Sequence, residues 1–213
     1  MKFLRTPVAS FILLSLAFAF IYMPWLKFPW KFGCIALLTL ALTYLQSGSI
    51  KPMQLKKIGS DQFLIALGLF AALELMMDFV VQPGLTRALH EPANYSGFST
   101  LHGDINGYLK FLVFTWISAA IGEEFLFRGF AILQLGMIFN KNNVVNVVLS
   151  AVLFSLPHLY QGITGLITTF LFGLALGWIF VKFKNLWINV IVHGLIDTLF
   201  LTLAYLGLLS WYN

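Results

Sequence analysis

Two adjacent carboxylates and an arginine lie inside a long apolar segment of the chain, at Glu123, Glu124 and Arg128. Burying an ionisable side chain in a bilayer costs about 2.5–3.5 kcal/mol on insertion scales, so such residues usually face a bundle interior or a watery cavity. Glu124 and Arg128 are four residues apart, share one helical face and are predicted to pair. Glu123 points about 100° away and has no local cation. An unpaired carboxyl group in an apolar setting suits a general base or acid near neutral pH.

A second polar site follows Phe154, where Pro157 interrupts an apolar helix just before His158. Taken alone, His158 is better explained as a structural histidine than as a catalytic one. Its position at a helix break nevertheless presents the ring to a neighbouring segment.

A third site is a polar stripe in the last apolar segment, where Asn189, His193 and Asp197 recur every four residues. Polar stripes can hold membrane helices together. A histidine paired with an acid at this spacing favours function over packing, and Gly194 leaves room for close approach. A free glutamate, a histidine at a break and this stripe are sufficient to activate a water and stabilise an oxyanion.

The elements that must position these residues are apolar helices. Of 213 residues, 60% are hydrophobic and 10% are charged, whereas a soluble domain carries about 25% charged residues. We therefore expect an all-α polytopic membrane bundle, a single integral membrane domain over residues 1–213. A spanning helix needs about 17–25 apolar residues. About seven segments qualify, with eight as the alternative: roughly 7–23, 32–47, 62–81, 108–139, 144–157, 162–181 and 186–209.

The basic residues lie in short loops, where they set topology, so the net charge of +5 does not indicate a nucleic-acid partner. Their distribution predicts a cytoplasmic N-terminus and an outer C-terminus, with the lipid bilayer as the surroundings. The first 19 residues are similar to a signal peptide, but we interpret them as the first membrane helix. The fourth segment is long for one span, and we expect it to tilt, break or continue along the interface.

The motifs EExxxR, FxxxH and HxxxD, in this order on successive membrane segments, resemble the CPBP family. These are the CAAX-processing and bacteriocin-processing intramembrane proteases, also called the Abi family. The resemblance covers roughly residues 108–200, which we take as the motif-bearing catalytic core. The matching residues are Glu123, Glu124, Arg128 and Gly129, then Phe154 and His158, then His193 and Asp197.

The resemblance implies a glutamic-type endopeptidase that hydrolyses a peptide bond of a membrane-associated protein or peptide. It implies that Glu123 is the general base and works with His158 to activate water. It also implies that Glu124 and Arg128 hold the site together, with Phe154 in support. The oxyanion hole would be formed from His193 and the residue four later.

Many members have Asn where this chain has Asp197. Since an ionised carboxylate repels an oxyanion, we expect Asp197 either to stay protonated or to orient His193. Asn189, one turn earlier on the same stripe, is our candidate for a substitute amide donor and is counted as a supporting residue.

Two alternatives remain open. Zinc or another divalent metal could be bound by four of these side chains: Glu123, His158, His193 and Asp197. The helical zinc signature HExxH is absent from the sequence, so we favour catalysis without a cofactor. The second alternative is a non-catalytic membrane scaffold or immunity protein of the same family.

The resemblance implies a membrane-associated peptide as the substrate, such as a C-terminal tail, a sorting segment or a leader. The compact size and short loops favour a prokaryotic inner-membrane protein. The sequence carries no signal for an oligomeric state.

Overall fold

The computed structural model describes residues 3–212, which form helices and loops without a strand. Short 3₁₀ turns connect several of the seven helices. The all-α prediction is confirmed, and each predicted apolar segment coincides with one helix. The helices are α1 (Pro7–Ala19), α2 (Trp30–Ser47), α3 (Ser60–Leu89), α4 (residues 105–138), α5 (Asn143–Ser155), α6 (Gly162–Phe183) and α7 (Leu186–Tyr205).

Between residues 3 and 212, three helical stretches are long and apolar enough to cross a membrane: Ser60–Leu89, Asn143–Phe183 and Leu186–Tyr205. The shorter helical stretch Pro7–Tyr22 is also apolar. The length of these helices and their exposed apolar side chains are those of an integral membrane protein.

The stretch from residue 143 to residue 183 folds back on itself. Gly177 lies against Val147 and Gly173 against Ala151, so α5 and α6 run antiparallel. The 3₁₀ turn Leu156–Gln161 joins them. Pro157 cannot donate a backbone hydrogen bond inside a helix, which ends α5 at the point where His158 must be presented.

Side-chain caps explain where the other site-bearing helices begin. The Asp104 side chain accepts a hydrogen bond from the Gly107 amide at 3.0 Å and starts α4. The Asn185 side chain accepts from the Trp187 amide at 3.2 Å and starts α7. Such caps satisfy amides that have no partner inside the helix.

The long fourth segment neither breaks nor leaves the bundle. It is one helix with two widened, π-helical regions, Trp116–Glu123 and Phe125–Ala131. Residues 122–132 are all buried, so α4 passes through the centre of the protein. π-Helical turns are rare and concentrate at functional sites, and here they surround the two glutamates.

Candidate active site

Glu124 is the centre of a buried ion-pair network that joins α4 to α7. Its Oε1 atom accepts a hydrogen bond from Arg128 Nη1 at 2.8 Å and is 2.8 Å from His193 Nδ1. The Glu124 and Arg128 side chains have no exposed surface. A carboxylate oxygen accepts hydrogen bonds, so the His193 nitrogen is the donor in the second bond. The predicted pairing of Glu124 with Arg128 is confirmed.

Phe154 packs against the cation and both histidines. The Arg128 guanidinium carbon lies 4.2 Å from the centre of the Phe154 ring, a cation–π distance. The ring centres of His158 and His193 lie 5.4 Å and 5.9 Å from that of Phe154. The buried phenylalanine of FxxxH therefore fixes how α5 meets the network on α4 and α7.

His158 has a defined orientation in the turn after α5. Its Nδ1 is 3.0 Å from the carbonyl oxygen of Phe154. A carbonyl oxygen can only accept, so Nδ1 carries the hydrogen, and in the neutral ring Nε2 keeps its lone pair. The Nε2 atom is therefore available as an acceptor for a water molecule.

Glu123 faces a cavity instead of a partner. Among the described residues, no hydrogen bond or ion pair to its side chain is found, and the residue is 8% exposed. The cavity measures about 740 Å³, within the roughly 300–1,000 Å³ range of ligand pockets. Five of the predicted site residues line it: Glu123, Phe154, His158, His193 and Asp197. The sequence prediction that Glu123 lacks a local cation agrees with this arrangement.

Two glycines let the helices around the site approach each other. A Cβ atom at Gly194 would lie 2.7 Å from the Trp116 ring, and one at Gly122 would lie 2.8 Å from the Phe32 carbonyl oxygen. Trp116 is held in place because its Nε1 donates to Thr198 Oγ1 at 3.0 Å. The spacing that brings His193 to Glu124 thus depends on Gly194, as the sequence suggested.

Asn189, the predicted substitute amide donor, is not brought to the cavity. Its side-chain amide donates to the Leu176 carbonyl oxygen at 2.7 Å, and the residue is fully buried and does not line the cavity. Asn189 supports the site by holding α7 against α6. Asp197 does line the cavity, and its Oδ2 is 3.6 Å from His193 Nε2, so it lies beside the ring nitrogen that Glu124 does not contact.

Sequence reasoning missed an acidic pair on α3. Glu74 and Asp78 line the same cavity and lie one helical turn apart on α3. The signal was present, since two acids four residues apart inside an apolar span mark a polar helix face. The loop after α3 supplies Tyr95, whose pKa is raised by burial and lowered in part by a hydrogen bond with Gln82.

The side chains proposed for the metal alternative are not arranged as a metal site. Within residues 3–212, no group of three or more His, Cys, Asp or Glu side chains is placed to hold a metal ion. His193 Nδ1 is occupied by Glu124, which leaves one nitrogen of that ring for any other ligand. The arrangement that is present, a free carboxylate facing a histidine-lined cavity, suits general acid–base chemistry.

Residues 105–199 match the family model for Rce1-like proteins, described as type II CAAX prenyl endopeptidase Rce1-like. This range contains all the motif residues, which lie on α4, α5, the turn after α5 and α7. No curated protein and no solved structure matches the chain.

Proposed function

We propose that this protein is a glutamic-type intramembrane endopeptidase, because residues 105–199 match the Rce1-like family model of CAAX prenyl endopeptidases. The observation that supports this most is the Glu123 carboxyl group. It lines a cavity without a protein partner among the described residues, together with a histidine whose Nε2 is free to accept. An unpaired carboxylate is costly inside a membrane protein, so its retention there favours a chemical role.

In the proposed reaction, a water molecule lies between Glu123 and His158. Glu123 takes a proton from the water while the oxygen attacks the carbonyl carbon of the substrate's peptide bond. The tetrahedral intermediate then breaks its C–N bond, and Glu123 returns the proton to the leaving amine. The products are a new carboxyl terminus and a new amino terminus, so no other reactant is required.

His193 is the proposed oxyanion donor. When its ring is protonated, Nδ1 donates to Glu124 and the second N–H is available to the cavity. The Glu124 and Asp197 carboxyl groups beside the ring compensate that positive charge. In this proposal, Asp197 positions His193 and favours its charged form, and it does not itself contact the oxyanion. Arg128 holds Glu124 in place, because it donates to the same Glu124 oxygen that contacts His193.

The substrate class follows from the location of the cavity inside an apolar bundle. We propose a membrane-associated peptide, and the candidates are a prenylated C-terminal tail, a sorting segment and a leader peptide. The family model names the first of these. The cavity's apolar lining suits an extended apolar segment on either side of the cleaved bond.

The test is cleavage of a fluorogenic peptide panel by the purified full chain in nanodiscs. The panel contains the three substrate classes, and wild type is compared with Glu123→Gln, each with and without a chelator. We expect cleavage by wild type that the chelator does not change, and loss of at least about 100-fold in the variant. Cleavage that chelation stops and one defined metal restores would replace this mechanism by a metal-dependent one. A Glu123→Gln variant that cleaves as fast as wild type would refute the role of Glu123.

A further inference from the structure

The cavity extends beyond the catalytic residues to an acidic region that the proposed reaction does not use. Glu74 and Asp78 of α3 lie there, near Asp197 of α7. The two carboxyl groups are four residues apart and lie on the same face of α3, one helical turn from each other. No lysine or arginine within the described residues forms an ion pair with either side chain.

Helix registers place this region relative to the catalytic centre. At one end of α3 and α7, Asn185 Nδ2 donates to Gln62 Oε1 at 2.9 Å. The two helices run parallel, so Glu74 and Asp197, each twelve residues further along, lie at the same level. The level of Asp197 is one turn beyond His193, which is about 6 Å along the helix axis.

A second, independent observation indicates a ligand at this level. α6 runs antiparallel to α7, with Leu176 bonded to Asn189, so Thr168 lies level with Asp197. Thr168 is 2% exposed and lines the cavity, yet its hydroxyl has no hydrogen-bond partner within the described part of the chain. The Gln161 side chain, 6% exposed, lines the cavity too, and its Oε1 is also unpaired.

The unsatisfied atoms share one chemistry, because the carboxyl, amide and hydroxyl oxygens all accept hydrogen bonds. Buried acceptors without partners are costly, and a buried negative charge needs a cation or several donors. A guanidinium or ammonium group supplies both a positive charge and multiple donors. A substrate carboxylate at this place would instead be repelled by Asp197 and the acidic pair.

We propose that Glu74 and Asp78, together with Asp197 and Thr168, form a subsite for a basic side chain of the substrate. An extended peptide advances about 3.3 Å per residue. The 6 Å separation along the axis therefore places the basic residue about two residues from the cleaved bond, and Asp78, one turn further, extends the range to about four. This subsite rests on the proposed protease function, because its position is counted from the bond that the protease would cleave.

The experiment uses the peptide that wild type cleaves fastest, resynthesised with one arginine two, three or four residues from the cleaved bond on either side. Each peptide has a citrulline twin, which keeps the shape and removes the charge. We expect kcat/KM to be at least about tenfold higher for arginine at one or more positions, as for a charge-assisted hydrogen bond. In the Glu74→Gln/Asp78→Asn double variant, the arginine-to-citrulline ratio should fall to about one.

Asp61→Asn is the matched control, because it removes an exposed carboxylate from the first turn of the same helix. It should keep the wild-type ratio. Equal cleavage of the twins by wild type at every position would overturn the subsite while leaving the protease intact. That result needs no variant, so a double variant that fails to fold does not affect it.

A binding measurement separates failure of the subsite from failure of the protease function. Dodecylguanidinium and its uncharged analogue dodecylurea are titrated into the full chain in nanodiscs, with empty nanodiscs subtracted. If no peptide is cleaved, at least tenfold tighter binding of the guanidinium that is lost in the Asp78→Asn variant still supports the subsite. Equal binding of the two probes would overturn it.

Discussion

Replacing Gly194 by alanine tests whether the contact between α4 and α7 sets the geometry of the site. The added Cβ would lie 2.7 Å from the Trp116 ring, whereas ordinary contact begins near 3.4 Å. The ring cannot easily turn aside because its Nε1 donates to Thr198, which lies on α7 one turn after Gly194. We therefore expect α7 to move away by at least about 0.7 Å, lengthening the 2.8 Å bond between His193 and Glu124.

The expected cost has a stability part and a catalytic part. Overpacking of this kind destabilises by about 1–3 kcal/mol, and misplacement of a catalytic group by about 1 Å can reduce the rate about 100-fold. Thermal unfolding in detergent measures the first, and kcat on the best panel peptide measures the second. The matched control is Gly33→Ala in α2, where a Cβ meets no atom within 4 Å. A Gly194→Ala protein with wild-type kcat would refute the proposed role of this contact.

Two other substitutions separate structural support from chemistry. Arg128→Lys keeps the charge but loses the hydrogen bond to the Gly173 carbonyl oxygen and the planar contact with Phe154. We therefore expect a loss of about 1–3 kcal/mol in the free energy of unfolding. An unchanged thermal midpoint would contradict this. Asn189→Ala removes the hydrogen bond to the Leu176 carbonyl oxygen and should destabilise the fold by about 0.5–1.5 kcal/mol. We expect kcat/KM to stay within about twofold of wild type. A large loss of kcat would support the oxyanion role.

The helices and the first motif could be predicted from the sequence because their signals are local. Apolar runs of sufficient length predict the helices, and Pro157 predicts the break that presents His158. The four-residue spacing of Glu124 and Arg128 predicts their ion pair. Glu123, one residue earlier, is identified because its helical face carries no cation. Each of these inferences needs only the periodicity of one helix.

The features that could not be predicted depend on which helices face each other. Asn189 shares a stripe with His193, but the stripe is wide enough for its amide to reach α6 while His193 reaches α4. The carboxylate that binds His193 proved to be Glu124, and only the packing of α4 against α7 reveals this. The spacing of Glu74 and Asp78 marks a polar face of α3, but only the parallel register of α3 and α7 reveals that this face lines the cavity.

The most direct test of the central claim is a double-mutant cycle on Glu123 and His158, measured under single-turnover conditions with the cleaved peptide. If both side chains activate the same water, Glu123→Gln and His158→Ala should each reduce the rate constant by about 100-fold or more. The double variant should then be no more than about threefold slower than the slower single variant. Losses that multiply in the double variant would show that the two groups act independently, which would contradict the shared-water mechanism.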